Sequence, residues 1–240
     1  MTTFYGFKEL TKIDDWADIV GRKNWRAKAS AYELAHCWHE SSGLPTPIST
    51  AIQGTGHQVL RGLTVDLCLV EKPVFLDTRI APSMTDLMGY GRNEQGEEIV
   101  IAVEGKADEP FALPVRAWVR GDTLNPPVTA TPRPTRLRRL EFLSKHLAHT
   151  ISPDSPLRYQ LLHRTVSAVL EAQLHGAVAA LVLVHSFGTA TSGNFSDFGD
   201  FVRELCAATV EKGSVAGPHK LGEEGDLPTY FLWWQQAAKQ

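Results

Sequence analysis

Residues 84–111 constrain the fold more than any other stretch of this chain. Asp86-Leu-Met-Gly-Tyr-Gly-Arg92 and Glu98-Ile-Val-Ile-Ala-Val-Glu104-Gly-Lys106 are two strand-like runs, separated by a polar turn that contains Gly96. The apolar run Ile99 to Val103 predicts a buried strand. With the turn centred near Gln95, residues facing each other across the hairpin have numbers summing to about 190, which sets Asp86 opposite Glu104. Side chains alternate along a strand, so Glu104, Lys106 and the cross-strand partner of Glu104 share one face. Like charges opposed in a sheet repel. The economical reason for such a pair at the end of a buried strand is a hydrated divalent cation between the carboxylates, with the lysine beside it. A slip of one residue would instead send Asp86 to the other face.

An acidic residue, a spacer, and Glu-x-Lys at a strand end resembles the signature of the PD-(D/E)XK, or restriction-endonuclease-like, nuclease superfamily. Asp86 follows Thr85 where the superfamily name has proline. The sequence also resembles an uncharacterised bacterial domain family through the phrases Val-Glu-Gly-Lys-Ala-Asp-Glu-Pro-Phe (103–111) and Arg-Tyr-Gln-Leu-Leu-His-Arg-Thr (158–165). The superfamily resemblance implies an α/β fold with an αβββαβ core, a central mixed sheet flanked by helices, and here extra N-terminal and C-terminal elements. It implies a metal-dependent nuclease that hydrolyses phosphodiester bonds, in DNA more readily than RNA. Asp86, Glu104 and Lys106 would be catalytic; Asp86, Glu104 and the carbonyl of Gly105 would hold Mg2+, with Mn2+ as substitute. Glu33, then Glu40, is the acidic candidate on the first helix. Gln160, His163 and Arg164 share a face of the later helix and could bind a scissile-strand phosphate. Asp108 and Glu109 are either a further metal contact or surface charge. A homodimer is compatible with this reading. The alternatives are a catalytically inactive nucleic-acid-binding or assembly module on the same fold, and a scaffold with ordinary surface charges.

Hydropathy patterning supplies the remaining elements. A helical stripe runs from Trp25 to Ser41 through Ala27, Ala31, Leu34, Ala35 and Trp38, after a helical turn over 14–21. A short helix is expected over 49–61 and a strand over 65–75. The Pro-rich segment 121–134 is read as a loop or lid. Helices follow over 135–150, from an Asp154 or Ser155 cap to His175, and over 195–208, with strands at 179–184 and 229–234. The expected domain is single, 1–240, with its core at about 25–190.

Composition excludes little. With 43% hydrophobic and 21% charged residues this is an ordinary globular chain. Three scattered cysteines imply no disulfide framework, and no run suggests a leader or a membrane span, so a cytoplasmic location is expected. The net charge is −3, yet residues 116–164 carry nine Lys or Arg against three acids. Arg136, Arg138 and Arg139 are therefore phosphate-contact candidates, against the plainer possibility of a solvated helix face. His36, Cys37 and His39 sit too close on one helix to form a zinc site unaided. His185 is read as a core histidine.

Overall fold

The computed structural model describes residues 2–77, 81–121, 130–188 and 193–238. In chain order the elements are β1 (Thr3–Tyr5), α1 (Trp16–Val20), α2 (Ser30–Glu40), α3 (Thr46–Gly54), β2 (Thr64–Val74), β3 (Ser83–Arg92) and β4 (Glu98–Lys106). They continue with α4 (Val115–Trp118), α5 (Pro134–His146), α6 (Tyr159–His175), β5 (Ala179–Phe187), α7 (Asn194–Cys206), β6 (Val215–Leu221) and β7 (Leu227–Gln236). The strands form one mixed sheet in the order β1-β2-β3-β4-β5-β7-β6. Strands β2, β3 and β4 are an antiparallel meander, and β5 returns parallel to β4 after α6.

The sheet is apolar on both faces, as a strand covered by helices on either side must be. Alternate residues of β4 separate into two cores. Val100 and Ala102 pack with Leu161, Leu162 and Val169 of α6 and with Leu140 and Leu143 of α5. Ile99, Ile101 and Val103 pack with Leu34, Ala35 and Trp38 of α2 and Ile48 and Ile52 of α3. Every residue of β5 is buried. The α/β architecture with helix-flanked mixed sheet is the one expected, and no described helix is long and apolar enough to cross a membrane.

Element boundaries depart from the periodicity at instructive places. The first main helix starts at Ser30, not Trp25, because Lys28 takes a left-handed backbone (φ +67) that ends any helix there. The second helix spans 46–54, followed by a separate 3-10 turn at 58–60. Helix α6 begins at Tyr159 and not at an Asp154 or Ser155 cap. The carbonyls of Ser155 and Leu157 instead accept hydrogen bonds from Arg116 (3.1 Å) and Val115 (2.8 Å), so tertiary pairing holds the chain extended. The edge strands β1 and β6 and the short α4 carry no periodic signal that the sequence reading detected. Of the expected Pro-rich loop, residues 122–129 lie outside the described residues, and Pro134 opens α5.

Candidate active site

The hairpin turn fixes the register. Asn93 Oδ1 accepts from the backbone of Gln95 (3.0 Å) and Glu97 (2.9 Å), and Gly96 takes φ +79, which favours glycine. From Arg92↔Glu98 through Leu87↔Val103 the pairs sum to 190, as expected. The next step sets Asp86 beside Glu104, and the Asp86 carboxylate accepts from the backbone N–H of Gly105 at 2.8 Å. Glu104 and Lys106 face α6, whereas Gly105 faces α2: a Cβ there would lie 2.5 Å from Leu34 Cδ1.

Helix α6 brings Gln160 and Arg164, one turn apart, onto the same point. Glu104 Oε1 accepts from Lys106 Nζ (2.6 Å) and from Gln160 Nε2 (2.6 Å). Glu104 Oε2 accepts from Arg164 Nε (2.7 Å) and Nη2 (2.5 Å), and that Nη2 lies 3.4 Å from Asp86 Oδ1. Gln160 is itself oriented by accepting from Ala112 N–H (3.1 Å). Glu104, Lys106 and Arg164 are 1%, 4% and 1% exposed, so these charges lie in a weakly screening interior. Asp86 retains 26% side-chain exposure and is the solvent-facing member.

The environments drive the two carboxyls apart. Burial opposes ionisation of Glu104, but Arg164 and Lys106 together outweigh it and hold its carboxyl below the ordinary value. Burial and the charge of Glu104 push Asp86 up to about 7, with Arg164 and Lys106 opposing. For Arg164, burial is outweighed by Glu104 and Asp86, and its guanidinium is held more firmly protonated.

A third carboxylate joins them that the sequence reading missed. Glu71 lies in β2 between the register pairs Val70↔Leu87 and Lys72↔Thr85, which brackets it with Asp86. Its backbone is left-handed (φ +51), a conformation that costs a non-glycine residue about 1 kcal/mol or more. Burial raises its carboxyl, as does Glu104, while Arg164 counteracts. The pairing of β2 with β3 was the missing signal, and no motif announces it.

Other candidates are placed elsewhere. Glu33 is buried on α2, which packs against the opposite face of β4, and its carboxylate accepts from Lys28 N–H (3.1 Å). Glu40 pairs with His36 at 2.9 Å. His163 bonds Ser83 through Nδ1 (2.8 Å); burial first, then Arg164, pushes its pKa down to about 3, so it is neutral and unsuited as a phosphate cation. Arg139 is a correction to the surface-cation expectation: it is 2% exposed, ion-paired with Asp77 and bonded to the Ala81 carbonyl at 3.2 Å. Arg136 donates to the Trp118 carbonyl and lies 5.3 Å over that indole, while Arg138 is exposed. Asp108 is exposed and Glu109 accepts from Ala107 N–H at 3.1 Å. His185, fully buried, accepts through Nδ1 from the Trp38 indole N–H at 3.1 Å, in keeping with a core role.

Asp86 and Glu104 are of the kind that holds magnesium, which keeps several waters and takes one or two protein carboxylates. Among the described residues no group of three or more His, Cys, Asp or Glu side chains is arranged to enclose an ion. The donor set still suits a partly hydrated cation. One carboxylate, Asp86, is solvent-facing with its pKa pushed up to about 7; among the described residues the Nη1 of buried Arg164 has no hydrogen-bond partner, a donor suited to an anion beside the ion.

Comparison with known proteins adds a family. The model of the family described as "Domain of unknown function (DUF6946)" matches residues 9–238. The chain belongs to this family. The match spans the whole hairpin, α6 and β7, so every residue of the cluster lies within the family's domain. No curated protein and no solved structure matches the chain.

Proposed function

We propose that this protein is a divalent-metal-dependent nuclease, hydrolysing phosphodiester bonds, in DNA before RNA, on a restriction-endonuclease-like αβββαβ core. In support of that core, α2, the β2-β3-β4 meander, α6 and the parallel β5 follow one another in this sequence, with α3 inserted before β2, α4 and α5 before α6, and β1, α1, α7, β6 and β7 outside it. The observation that carries the reading is the meeting of Asp86, Glu104 and Lys106 from adjoining strands, with Arg164 shared by the two carboxylates and Lys106 bonded to Glu104.

Asp86 and Glu104 would hold the ion. When bound, magnesium supplies charge neutralisation at the phosphate and acidifies a coordinated water. Lys106, anchored on Glu104, would orient the attacking water or stabilise developing negative charge. Gln160 fixes the rotamer of Glu104 through its own bond to the Ala112 backbone. Arg164 neutralises the carboxylates in the absence of another cation, and its Nη1, buried and without a partner among the described residues, would donate to a non-bridging phosphate oxygen once the ion moves the guanidinium. In the reaction water adds to phosphorus, one P–O ester bond breaks, and the water's proton ends on the departing alkoxide.

The test is cleavage of plasmid and single-stranded DNA with magnesium or manganese. Glu104→Gln and Lys106→Met, checked for folding by circular dichroism, should abolish cleavage, each by about 10² or more. Cleavage unchanged in both would overturn the reading. A second reading, an inactive nucleic-acid-binding module, draws on one observation: Arg164 already bridges both carboxylates as an internal counter-ion. That module would show no cleavage with either metal and unchanged DNA affinity in both variants.

A further inference from the structure

The carboxyl-terminal ends of the parallel strands β4, β5 and β7 open onto a cavity of about 820 Å³, the position where open α/β sheets bind ligands. Its wall begins at Ala107, directly after Lys106, and includes Phe187, Trp234, Lys28, Lys212 and Asp108. The Trp234 ring is half-buried in this wall, and Gly213 (φ +78) lies beside it with no side chain over the ring: a Cβ there would stand 3.6 Å from it. The indole N–H of Trp234 is buried and has no partner among the described residues. Lys212 is exposed and held at the rim by Gln235 (2.8 Å) and by the Phe195 ring, 5.0 Å below its ammonium.

Lys28 is built into the opposite rim. Its left-handed backbone is sustained by the buried carboxylate of Glu33, which accepts its N–H at 3.1 Å. A non-glycine residue held in this strained region by a buried charge points to a positional requirement. Lys28 ends a run, Arg22-Lys-Asn-Trp-Arg26-Ala-Lys28, with four cations and no acid in seven residues, and those four side chains are exposed. A second hollow of about 550 Å³, bounded by Arg26, shares Lys28 and Asp108 with the first. An acidic chain therefore concentrates cations along one loop that leads to a half-buried indole in the cavity wall. Cations tracking a backbone and an aromatic face accepting a base are the two parts of a single-strand nucleic-acid site.

We propose that the 22–28 loop and the Trp234 cavity bind single-stranded nucleic acid, with a base stacked on Trp234 and its flanking phosphates on Lys28, Arg26 and Lys212. This site goes beyond the hydrolytic reading and stands without it. A single strand, unlike a duplex, presents an unpaired base face to the cavity.

The test is fluorescence anisotropy of labelled single-stranded and duplex DNA, without divalent metal and in the Glu104→Gln protein, so that cleavage plays no part. Single strands should bind at least tenfold more tightly than duplex. Arg26→Ala/Lys28→Ala, at surface positions, should weaken binding and flatten the log–log salt slope by about 1.4. Trp234→Leu should weaken single-strand binding about tenfold while leaving the slope unchanged. Should Trp234→Leu misfold, quenching of Trp emission by oligothymidylate, reduced in Trp234→Phe, reads the same contact. Equal affinity for duplex, or a salt slope untouched by the double variant, would overturn the proposal even if cleavage is found. Tight single-strand binding with no cleavage would uphold it while removing the hydrolytic reading.

Discussion

At the residue scale, Glu104 is the acceptor on which three donors converge, and removing it is costly. Glu104→Ala leaves Lys106 and Arg164 buried without their counter-charge, and should destabilise the fold by about 3–5 kcal/mol in urea denaturation. Glu104→Gln keeps the shape and should cost less while still losing metal binding. Asp86 should give a pH signature of opposite sign to an ordinary salt-bridged carboxylate. Its folded pKa of about 7 lies above the ordinary aspartate value of 3.8, so the folded state holds the proton more tightly. Its contribution to stability is present at acid pH and is lost as pH rises from about 4 to 7. The buried, neutral His163 runs the other way over pH 3 to 6.5, so the comparison must be between wild type and Asp86→Asn. The stability difference should favour wild type at pH 4 and diminish toward pH 7.5; a flat difference would refute the raised pKa. Because metal must displace that proton, divalent-ion affinity should climb with pH up to about 7, with proton release measurable by calorimetry in two buffers. Asp86, Glu104 and Lys106 could be singled out from sequence because alternation and turn position are local rules. Glu71 could not: its place beside Asp86 depends on β2 pairing across a connection, and nothing in its own neighbours encodes that.

At the scale of elements, the β3/β4 hairpin was legible because Asn93 and Gly96 specify the turn and the apolar run specifies burial. Helix ends were less so. Lys28 stops its helix through a bond to Glu33 in the first turn of α2, and the Ser155–Leu157 segment through residues 115–116, which are distant in sequence. Gly105 links the two faces of β4: its N–H holds Asp86 and its bare Cα admits Leu34 of α2. Gly105→Ala should therefore push α2 outward and destabilise by about 1–3 kcal/mol, because Leu34 is 1% exposed and has no room to yield. Adding Leu34→Ala should cost less in this background than in wild type, a coupling that a thermal-unfolding double-mutant cycle reads directly. Strict additivity would place the strain elsewhere.

Across the whole molecule, the parallel strands β4, β5 and β7 deliver their carboxyl ends to one edge of the sheet, and β4 carries Glu104-Gly-Lys106 there. The α6 face of that edge holds the charged cluster, while the basic 22–28 loop and the Trp234 cavity gather beyond the strand ends. Overall class was visible in the sequence, since strands and helices alternate with buried apolar runs between them. The second feature was hidden by averaging: residues 116–164 carry a basic balance, yet Arg139 there is ion-paired with Asp77, whereas the loop 22–28 packs four exposed cations into seven residues. The decisive measurement is anomalous diffraction from a crystal soaked in manganese. The ion should bind one oxygen each of Asp86 and Glu104 at roughly 2.0–2.3 Å, with Arg164 withdrawn from Asp86. Arg164 still joined to both carboxylates, with no anomalous peak between them at saturating manganese, would contradict it.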